Sequence, residues 1–300
     1  MGLYRAPQLR GAFTPGDPHS GYYNDLRSVA REYGSALEAH GWLDLLMHRR
    51  SKLWPVRLTQ LGLGAWQLFQ DTDDQGDWAS VVQRICTWAV TDMDAHGRIA
   101  HELDMPHTYP IAAPWHSAMI QGQLASLLVR ASSMSGHDYL QEQSLRACAS
   151  LMDPALGLCA ATEHGIVLEE YPADPPPHVL NGWIWALWGL YDVGAFHDDA
   201  RRAFEQGCAT LAALLPAYEL ASGWTRYDLY PHPLVNVASP FYHQLHIQQM
   251  DALHVMTGDL RFAEAAERWQ RAFDRRSVRA IATIRKVGFR MLRPRARSVA

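Results

Sequence analysis

Hydrophobic and polar residues recur along the chain with helical periodicity, in pairs of segments joined by short polar turns. Four such pairs cover about residues 57–93, 115–153, 178–218 and 240–273. In each pair the first segment is apolar around most of its circumference, whereas the second carries one apolar stripe. A helix that is apolar all round is buried, and a helix with one stripe packs on its outside. The pattern predicts an all-α fold, an α/α barrel or toroid of helical hairpins.

Three long connections separate the pairs, at about residues 94–114, 154–177 and 219–239. Loops of this length are uncommon in compact domains unless they are functional. They disfavour the alternative α-solenoid, which has the same pairs but short, regular loops. All three lead into the N-termini of inner helices, so they converge on one end of the barrel. Residues 157–171 and 222–229 carry the signals of short β-hairpins, which we therefore expect at that end.

Three glycines mark a repeat along the chain. Gly62, Gly122 and Gly182 are 60 residues apart, each near the start of the first helix of its pair, whereas the fourth pair has Gln248 there. A fixed spacing of this kind indicates repeated structural units, here helical hairpins.

The composition is that of a folded globular protein. With 300 residues, 48% of them hydrophobic, the chain can form a large core. It has neither a run of about 18 apolar residues nor a start resembling a signal peptide, so we expect a cytoplasmic protein. Its four cysteines are far apart and without Cys-x-x-Cys spacing, which indicates reduced core residues.

The charge is distributed unevenly. Residues 275–300 contain nine Lys or Arg and no acid, which leaves 18 basic against 31 acidic residues in residues 1–274. An acidic body is a poor nucleic-acid binder, so we expect no nucleic-acid partner. We interpret residues 1–274 as one catalytic domain and residues 275–300 as a basic C-terminal tail. The tail is amphipathic, which is typical of a segment that lies on the inner face of an anionic membrane; an extra packed helix and a solvated tail are the alternatives.

Aromatic and polar residues accumulate where the long loops converge. Aromatic rings stack on sugar faces while polar groups bind hydroxyls, so this composition predicts a carbohydrate site. The residues concerned are His107, Tyr109, Trp115, His116, Glu169, Glu170, Tyr171, His178, Trp224, Arg226, Tyr227, Tyr230, Tyr242, His243 and His246.

Ser239 and Pro240 have the pattern of a helix N-cap followed by proline in the first turn. This places Tyr242 and His243 in the first turn of the fourth inner helix. The partial positive charge of a helix N-terminus favours an anionic ligand and a lower phenol pKa there. The alternative is that Tyr242 and His246, four residues apart, fill the barrel interior.

Glu169, Glu170 and Tyr171 are predicted to end a strand just before Pro172. Strand alternation sends Glu170 and Tyr171 to opposite faces unless a bulge intervenes, so only one of them is expected in the cleft. The alternative is that these are charges of an edge strand.

His243 and His246 have a spacing that metal ligands can use, but no third ligand accompanies them. Phosphate-binding glycine loops, nucleophile elbows and dinucleotide fingerprints are also absent from the sequence. We therefore expect neither a metal nor a cofactor.

Several segments resemble the C-terminal domain of the D-glucuronyl C5-epimerase family. They are residues 118–131, 169–172, 178–192, 222–229 and 242–249. The Val-Leu-Asn-Gly sequence at residues 179–182 is specific to it, and the resemblance extends in order over about residues 110–275. It implies an α/α-barrel domain that acts on glucuronate residues of a heparosan-like polysaccharide, often as a homodimer.

The resemblance also implies the site residues. The catalytic residues are expected to be Glu170, Tyr171, Tyr227 and Tyr242. The substrate-binding residues are expected to be Trp115, His116, Asn181, Trp224, Arg226, Tyr230, His243 and His246. Two positions depart from the family pattern, which has Arg in place of Tyr230 and a Trp-Tyr pair in place of Trp115-His116. The family Arg is expected to hold the substrate carboxylate, a role for which Arg226 is the candidate here.

Inversion at C5 of a uronate removes a proton next to a carboxylate and returns one to the opposite face, so it needs two groups flanking the sugar. Glu170 is the candidate base or acid on one face and Tyr242 on the other, with Tyr171 and Tyr227 stabilising the enediolate or relaying protons. A polysaccharide lyase, a glycoside hydrolase and a non-catalytic glycan-binding module are the alternatives, because fold does not determine function.

Overall fold

The computed structural model describes residues 9–32, 55–71, 76–102, 104–106, 108–135 and 138–293. Its helices are α1 (Pro55–Asp71), α2 (Gly76–Asp92), α3 (Ala118–Ser135), α4 (Tyr139–Met152), α5 (Leu180–Gly194), α6 (Asp198–Tyr218), α7 (Pro240–Thr257), α8 (Leu260–Asp274) and α9 (Arg276–Leu292). Its strands are β1 (Met105–Pro106), β2 (Pro110–Ile111), β3 (Cys159–Thr162) and β4 (Gly165–Leu168). Residues 27–32 are also helical.

The helices pack as the four predicted pairs, and the first helices of the pairs lie side by side in the order α1, α3, α5, α7. Every residue of α5 except Tyr191 is buried. The buried residues of α8 form a single stripe that includes Phe262 and Trp269. The mostly helical class is thus confirmed, and α5 and α8 have the buried and amphipathic character that the pattern predicts for inner and outer helices.

The glycine repeat marks where inner helices come into close contact. A Cβ atom added to Gly122 of α3 would lie 2.4 Å from the backbone oxygen of Trp185 in α5. One added to Gly62 of α1 would lie 2.6 Å from Leu127 Cδ2 in α3. Both distances are too short for a side chain, so glycine at these positions allows the close packing of neighbouring helices.

The N-terminal segment runs across the inner helices, from the middle of α7 to the last turns of α1. The backbone N–H of Arg10 donates to Gln248 of α7 (2.9 Å), and that of Leu26 donates to Gln67 of α1 (2.8 Å). Between them, Tyr22 and Tyr23 pack against Trp188 of α5. The segment therefore contacts the first, third and last inner helices.

The long loops meet at the end of the helix array where the inner helices begin. The backbone N–H at the start of α3, Ala118, donates to the Glu169 carbonyl (2.9 Å), and that of Leu180 in α5 donates to the Tyr227 carbonyl (3.2 Å). Strands β3 and β4 form the predicted antiparallel hairpin. Residues 222–229 form single bridges, Glu219 with Thr225 and Arg226 with Val237, instead of a hairpin ribbon.

Residues 276–292 of the basic tail form helix α9, which packs against α7 and α8. Its inward face buries Ala282 and Phe289, while Lys286 Nζ donates to Asn236 Oδ1 (2.6 Å) and Arg290 Nη1 to Thr108 Oγ1 (2.8 Å). The packed helix was one of the two alternatives to a membrane-bound tail. Within the described ranges, no helix is long and apolar enough to cross a bilayer.

Candidate active site

A cavity of about 290 Å³ opens at the end where the long loops converge. The first turns of all four inner helices contribute to its wall, together with residues of the N-terminal segment, the loops and α9. The lining residues are Asn24, Leu26, Val29, Val56, Arg57, Gln60, His101, Met105, Thr108, Tyr109, Trp115, Ser117, Met119, Glu170, Tyr171, Asn181, Trp185, Tyr227, Phe241, Tyr242, Leu245 and Arg290. The four predicted catalytic residues are therefore brought together in one cavity.

Glu170 and Tyr171 both line the cavity, which corrects the expectation that strand alternation separates them. Strand β4 ends at Leu168, two residues before Glu170, so the alternation of a strand no longer applies. Glu170 is only 4% exposed. The Asn181 amide donates to its Oε2 (3.3 Å), and the Tyr171 hydroxyl donates to its carboxyl group.

Burial raises the pKa of Glu170 to about 8, although the hydrogen bonds from Tyr171 and Asn181 act in the opposite direction. A carboxyl group of this kind changes its protonation state near neutral pH, where an ordinary glutamate is fully ionised. Such a group can both accept and donate a proton at physiological pH.

Gly182 explains how Glu170 reaches this position. A Cβ atom on Gly182 would lie 2.3 Å from Glu170 Oε2 and 2.5 Å from its Cβ. The absence of a side chain in the first turn of α5 therefore allows the glutamate to lie directly on the helix. The Asn-Gly pair at residues 181–182 thus supplies a hydrogen bond to Glu170 and the space that Glu170 occupies.

Tyrosines extend from Glu170 along the cavity. The Tyr227 hydroxyl donates to Tyr171, which in turn donates to Glu170. The edge of the Tyr242 ring contacts Tyr227, with 4.8 Å between centroids and 71° between planes. Burial raises the pKa values of Tyr171 and Tyr227 well above the ordinary value, so both are neutral hydrogen-bond donors at neutral pH.

Helix α7 positions Tyr242 as the sequence predicts. Ser239 is the N-cap, and its hydroxyl accepts from the Tyr242 backbone N–H (3.4 Å), with Pro240 in the first turn. The phenol of Tyr242 therefore lies at the N-terminal end of the helix, beside the tyrosine chain.

Two polar atoms in the cavity wall lack a hydrogen-bond partner among the described residues, Ser117 Oγ and Asn181 Oδ1. Both atoms are themselves inaccessible to solvent, so either side chain would have to rotate before its oxygen could bind a ligand hydroxyl. Beside them Trp115 stacks on His101, with centroids 3.7 Å apart, and forms an aromatic wall with Tyr171. This combination of aromatic faces and polar atoms suits a sugar ring.

The model of the family described as D-glucuronyl C5-epimerase C-terminus matches residues 93–271, which is more than half of the chain. The chain belongs to this family. It is 32% identical over 174 residues to the D-glucuronyl C5-epimerase of Caenorhabditis elegans, a match that covers 52% of this chain and 28% of that protein. It is also 32% identical over 103 residues to an uncharacterized protein of Methanocaldococcus jannaschii, covering 34% of this chain and 32% of that one. The chain thus matches less than a third of the length of either relative.

Three predicted substrate-binding residues of this family member lie behind the cavity wall. His243 accepts at Nδ1 from the Thr225 backbone N–H (3.2 Å) and pairs through Nε2 with the Trp269 carbonyl (3.0 Å). His246 Nδ1 is 2.9 Å from the Thr225 hydroxyl, and Trp224 stacks on His243. Burial lowers the pKa of His243 to about 4, so it is neutral. These residues hold the loop after α6 against α7.

The structure also places His116, Arg226 and Tyr230 outside the cavity lining. His116 lies 3.9 Å from the Asp94 carboxylate. The backbone of Arg226 bridges to Val237, so its side chain alternates with that of Tyr227. Tyr230 packs on the outer side of Tyr109 and on His232.

Other expected polar residues have structural partners. The Glu169 carboxyl group contacts the His178 ring Nδ1 and accepts from the His178 backbone N–H (3.0 Å). His107 lies outside the described residues. The loop after Tyr227 is held by hydrogen bonds to Asp228. The Tyr109 hydroxyl and the Asn236 amide (2.5 Å) both donate to Asp228 Oδ2.

Sequence reasoning did not identify Arg57, Gln60, Ser117 and Arg290 as lining residues. The only sequence signal for Arg290 is the basic face of the C-terminal segment, which suits lipid, solvent, a packed position or a polyanionic substrate. The signal for Ser117 was its place directly before α3, because the first turns of inner helices supply much of the wall.

A wider and more open hollow of about 530 Å³ lies where α5 and α7 end, lined among others by Tyr191, Cys208 and Met256. Its arginines Arg201 and Arg261 form ion pairs with neighbouring aspartates. It contains no counterpart of the Glu170–tyrosine cluster among its lining residues, and it is not our candidate site.

Proposed function

We propose that this family member is a uronate C5-epimerase that acts on D-glucuronate residues of a heparosan-like polysaccharide. The observation that carries the proposal is Glu170, a buried carboxyl group with a pKa of about 8 at the end of a tyrosine chain in the family's shared region. An epimerase needs a group that exchanges protons near neutral pH next to groups that stabilise an enediolate.

In the proposed reaction the carboxylate form of Glu170 takes the C5 proton, and the C5–H electron pair moves into the substrate carboxyl group to give an enediolate. At pH 7 roughly a tenth of the molecules carry this carboxylate, given a pKa of about 8. The Tyr242 hydroxyl then donates a proton to the opposite face of C5. Once Glu170 is protonated it no longer needs the Tyr171 donor, so the hydroxyl hydrogens of Tyr171 and Tyr227 can turn to the enediolate and stabilise it. The two tyrosines also return the proton from Glu170 towards Tyr242.

The decisive experiment incubates the chain with heparosan in deuterium oxide and follows C5 by NMR and mass spectrometry. An epimerase incorporates deuterium at C5 and produces iduronate residues. A lyase instead breaks the 4-linkage and gives an unsaturated, ultraviolet-absorbing end, and a hydrolase gives new reducing ends without exchange. A binding module gives none of these products. The lyase, hydrolase and binding-module results would each contradict the proposal.

We also propose that the helical hairpins close into a toroid. The support is that the first turns of α1, α3, α5 and α7 line the same cavity, while the N-terminal segment reaches from Gln248 of α7 to Gln67 of α1. A crystal structure in which these helices surround the cavity without a gap is the expected result. An open row of hairpins would contradict it.

The proposed partners are an anionic polysaccharide, a second copy of the chain and the inner face of an anionic membrane. The proposed location is the cytoplasm. The outward face of α9 keeps apolar side chains exposed, including Ile284 and Met291. Basic amphipathic surfaces of this kind bind anionic lipid. We expect the wild type to co-sediment with anionic vesicles at low salt and the Ile284→Glu variant to do so much less; equal sedimentation contradicts the membrane contact. Sedimentation velocity tests the homodimer.

A further inference from the structure

Tyr230 occupies the position at which the family resemblance implies an arginine for the substrate carboxylate. It packs between Tyr109 and His232 and does not line the cavity. Arg226, the substitute suggested by the sequence, does not line the cavity either. A uronate site needs a positive charge, because the substrate carboxylate gains electron density as the C5 proton leaves.

Two arginines contribute to the described cavity lining, Arg57 and Arg290. The imidazole of His101 also lines it, but burial lowers its pKa to about 3, so it carries no charge at neutral pH. The choice is therefore between an arginine of α1 and an arginine of α9.

Arg290 lies on the wall that holds the tyrosine chain. Its Nη1 donates to Thr108 Oγ1 (2.8 Å), and the next residue, Tyr109, has its ring 5.3 Å from that of Tyr171. Arg57, in contrast, lies beside Val56 in the first turn of α1, one turn before Gln60.

Helix α9 is fixed beside the same wall one turn earlier. Lys286 Nζ lies 5.2 Å from the centre of the Tyr227 ring and donates to Asn236 Oδ1 (2.6 Å). The Phe289 side chain is buried against His232. These contacts determine which face of α9 points to the cavity, and they give Arg290 a defined place in its wall.

We propose that Arg290 binds the carboxylate of the uronate residue. The inference rests on the proposed function, because it assumes a uronate in the cavity. A guanidinium is suited to the role, since its donors match the two oxygens of a carboxylate and it stays charged at all relevant pH values. The C-terminal helix would then belong to the substrate site as well as to the fold.

The test compares Arg290→Gln, Arg290→Lys and Arg57→Gln with Arg285→Gln, a change at an exposed arginine of the same helix. Binding is measured by calorimetry with a heparosan oligosaccharide and with its carboxyl-reduced, neutral form, and C5 exchange is measured in parallel. We expect Arg290→Gln to weaken binding of the acidic oligosaccharide by at least about tenfold and to lower kcat/KM by about 100-fold. Binding of the neutral form should change less than about twofold, Arg290→Lys should recover part of the loss, and Arg285→Gln should match the wild type.

Equal loss with the acidic and neutral oligosaccharides would show a structural role and overturn the inference. A larger effect of Arg57→Gln than of Arg290→Gln would also overturn it. In both cases C5 exchange by the wild type would leave the proposed function intact. If the wild type neither binds nor exchanges the acidic oligosaccharide, the proposed function fails and this inference fails with it.

Discussion

Two buried carboxyl groups stand near opposite ends of α5, and their surroundings differ in one respect. Asp192, near the end of the helix, pairs with Arg130 at 2.6 Å, with both side chains fully buried. It also accepts a hydrogen bond from the Tyr23 hydroxyl. Glu170, packed on the first turn, has hydrogen-bond donors that are all neutral, Asn181 and Tyr171.

Asp192 is therefore a carboxylate in a buried ion pair, whereas Glu170 is a carboxyl group that can accept and release a proton near neutral pH. Arg130 also donates a hydrogen bond to the Gly21 carbonyl (2.9 Å), so the buried ion pair is connected to the N-terminal segment. Glu170 lacks such a pairing in the described structure, and burial therefore raises its pKa to about 8. Two buried carboxyl groups thus differ in whether a positive charge accompanies them, and the proposed chemistry uses the one without such a partner.

The largest expected effect is that of removing the carboxyl group of Glu170. Glu170→Gln keeps the shape and the hydrogen bonds but cannot take a proton, so C5 exchange should fall by roughly 10³-fold. Glu169→Gln is the matched control, because Glu169 pairs with His178 outside the cavity, and it should keep exchange within about tenfold. A reversed order would transfer the proton-handling role to the neighbouring glutamate.

Tyr242→Phe removes the proposed proton donor on the opposite face. Exchange should fall by about 100-fold with an unchanged circular dichroism spectrum, as is typical for loss of one general acid. Tyr230→Phe, at a tyrosine outside the cavity lining, should stay close to the wild type. Near-normal exchange in Tyr242→Phe would exclude this phenol from the mechanism.

Gly182→Ala tests the packing of Glu170 on α5. The added Cβ would lie 2.3 Å from Glu170 Oε2, so the glutamate must move. We expect about a tenfold loss of kcat and a free energy of unfolding lower by about 1–3 kcal/mol. Gly288→Ala, where nothing lies within 4 Å of the new Cβ, should leave both unchanged or slightly stabilise α9.

Asp192→Asn should have the opposite signature, with a large effect on stability and little on catalysis. Removing one partner of a buried ion pair leaves Arg130 uncompensated and should lower the free energy of unfolding by about 3–5 kcal/mol. Exchange by the folded fraction should stay within about twofold, as measured at a temperature well below the unfolding midpoint. A selective loss of kcat would show that the two ends are coupled.

A further expected effect concerns the dependence of stability on pH. The pKa of Glu170 is about 8 in the folded chain and 4.5, the ordinary value, in the unfolded chain. Between pH 4.5 and pH 8 the folded chain therefore keeps the proton that the unfolded chain has lost. This contribution to stability is therefore complete below about pH 4.5 and is lost as the pH rises towards 8. Urea unfolding of the wild type and Glu170→Gln should show the variant gaining relative stability as the pH rises. A constant difference would contradict the raised pKa.

The sequence predicted the helical pairs because periodicity and polar turns are local signals. It also predicted that Glu170, Tyr171, Tyr227 and Tyr242 belong to one site, and the cavity brings these side chains together. The strand rule failed for Glu170 and Tyr171 because β4 ends at Leu168, and strand ends depend on tertiary packing.

The sequence could not predict whether His243 and His246 face the cavity or a neighbouring loop. Both sides of α7 carry apolar residues, so the pattern does not distinguish the two directions. The ring contacts of both histidines with Thr225 show that they hold a loop. The position of α9 was also not predictable, since its basic residues suit solvent, lipid or a cavity equally well. Only the tertiary contacts of Lys286, Phe289 and Arg290 decide among these surroundings.

The central claim is that Glu170 changes its protonation state near neutral pH. Carbon-13 NMR of side-chain carboxyl groups in labelled protein measures this directly, with the Glu170→Gln spectrum assigning the signal. We predict a titration midpoint near 8, because burial raises the pKa of Glu170 to about 8. A midpoint near 4.5, the ordinary value, would contradict the account.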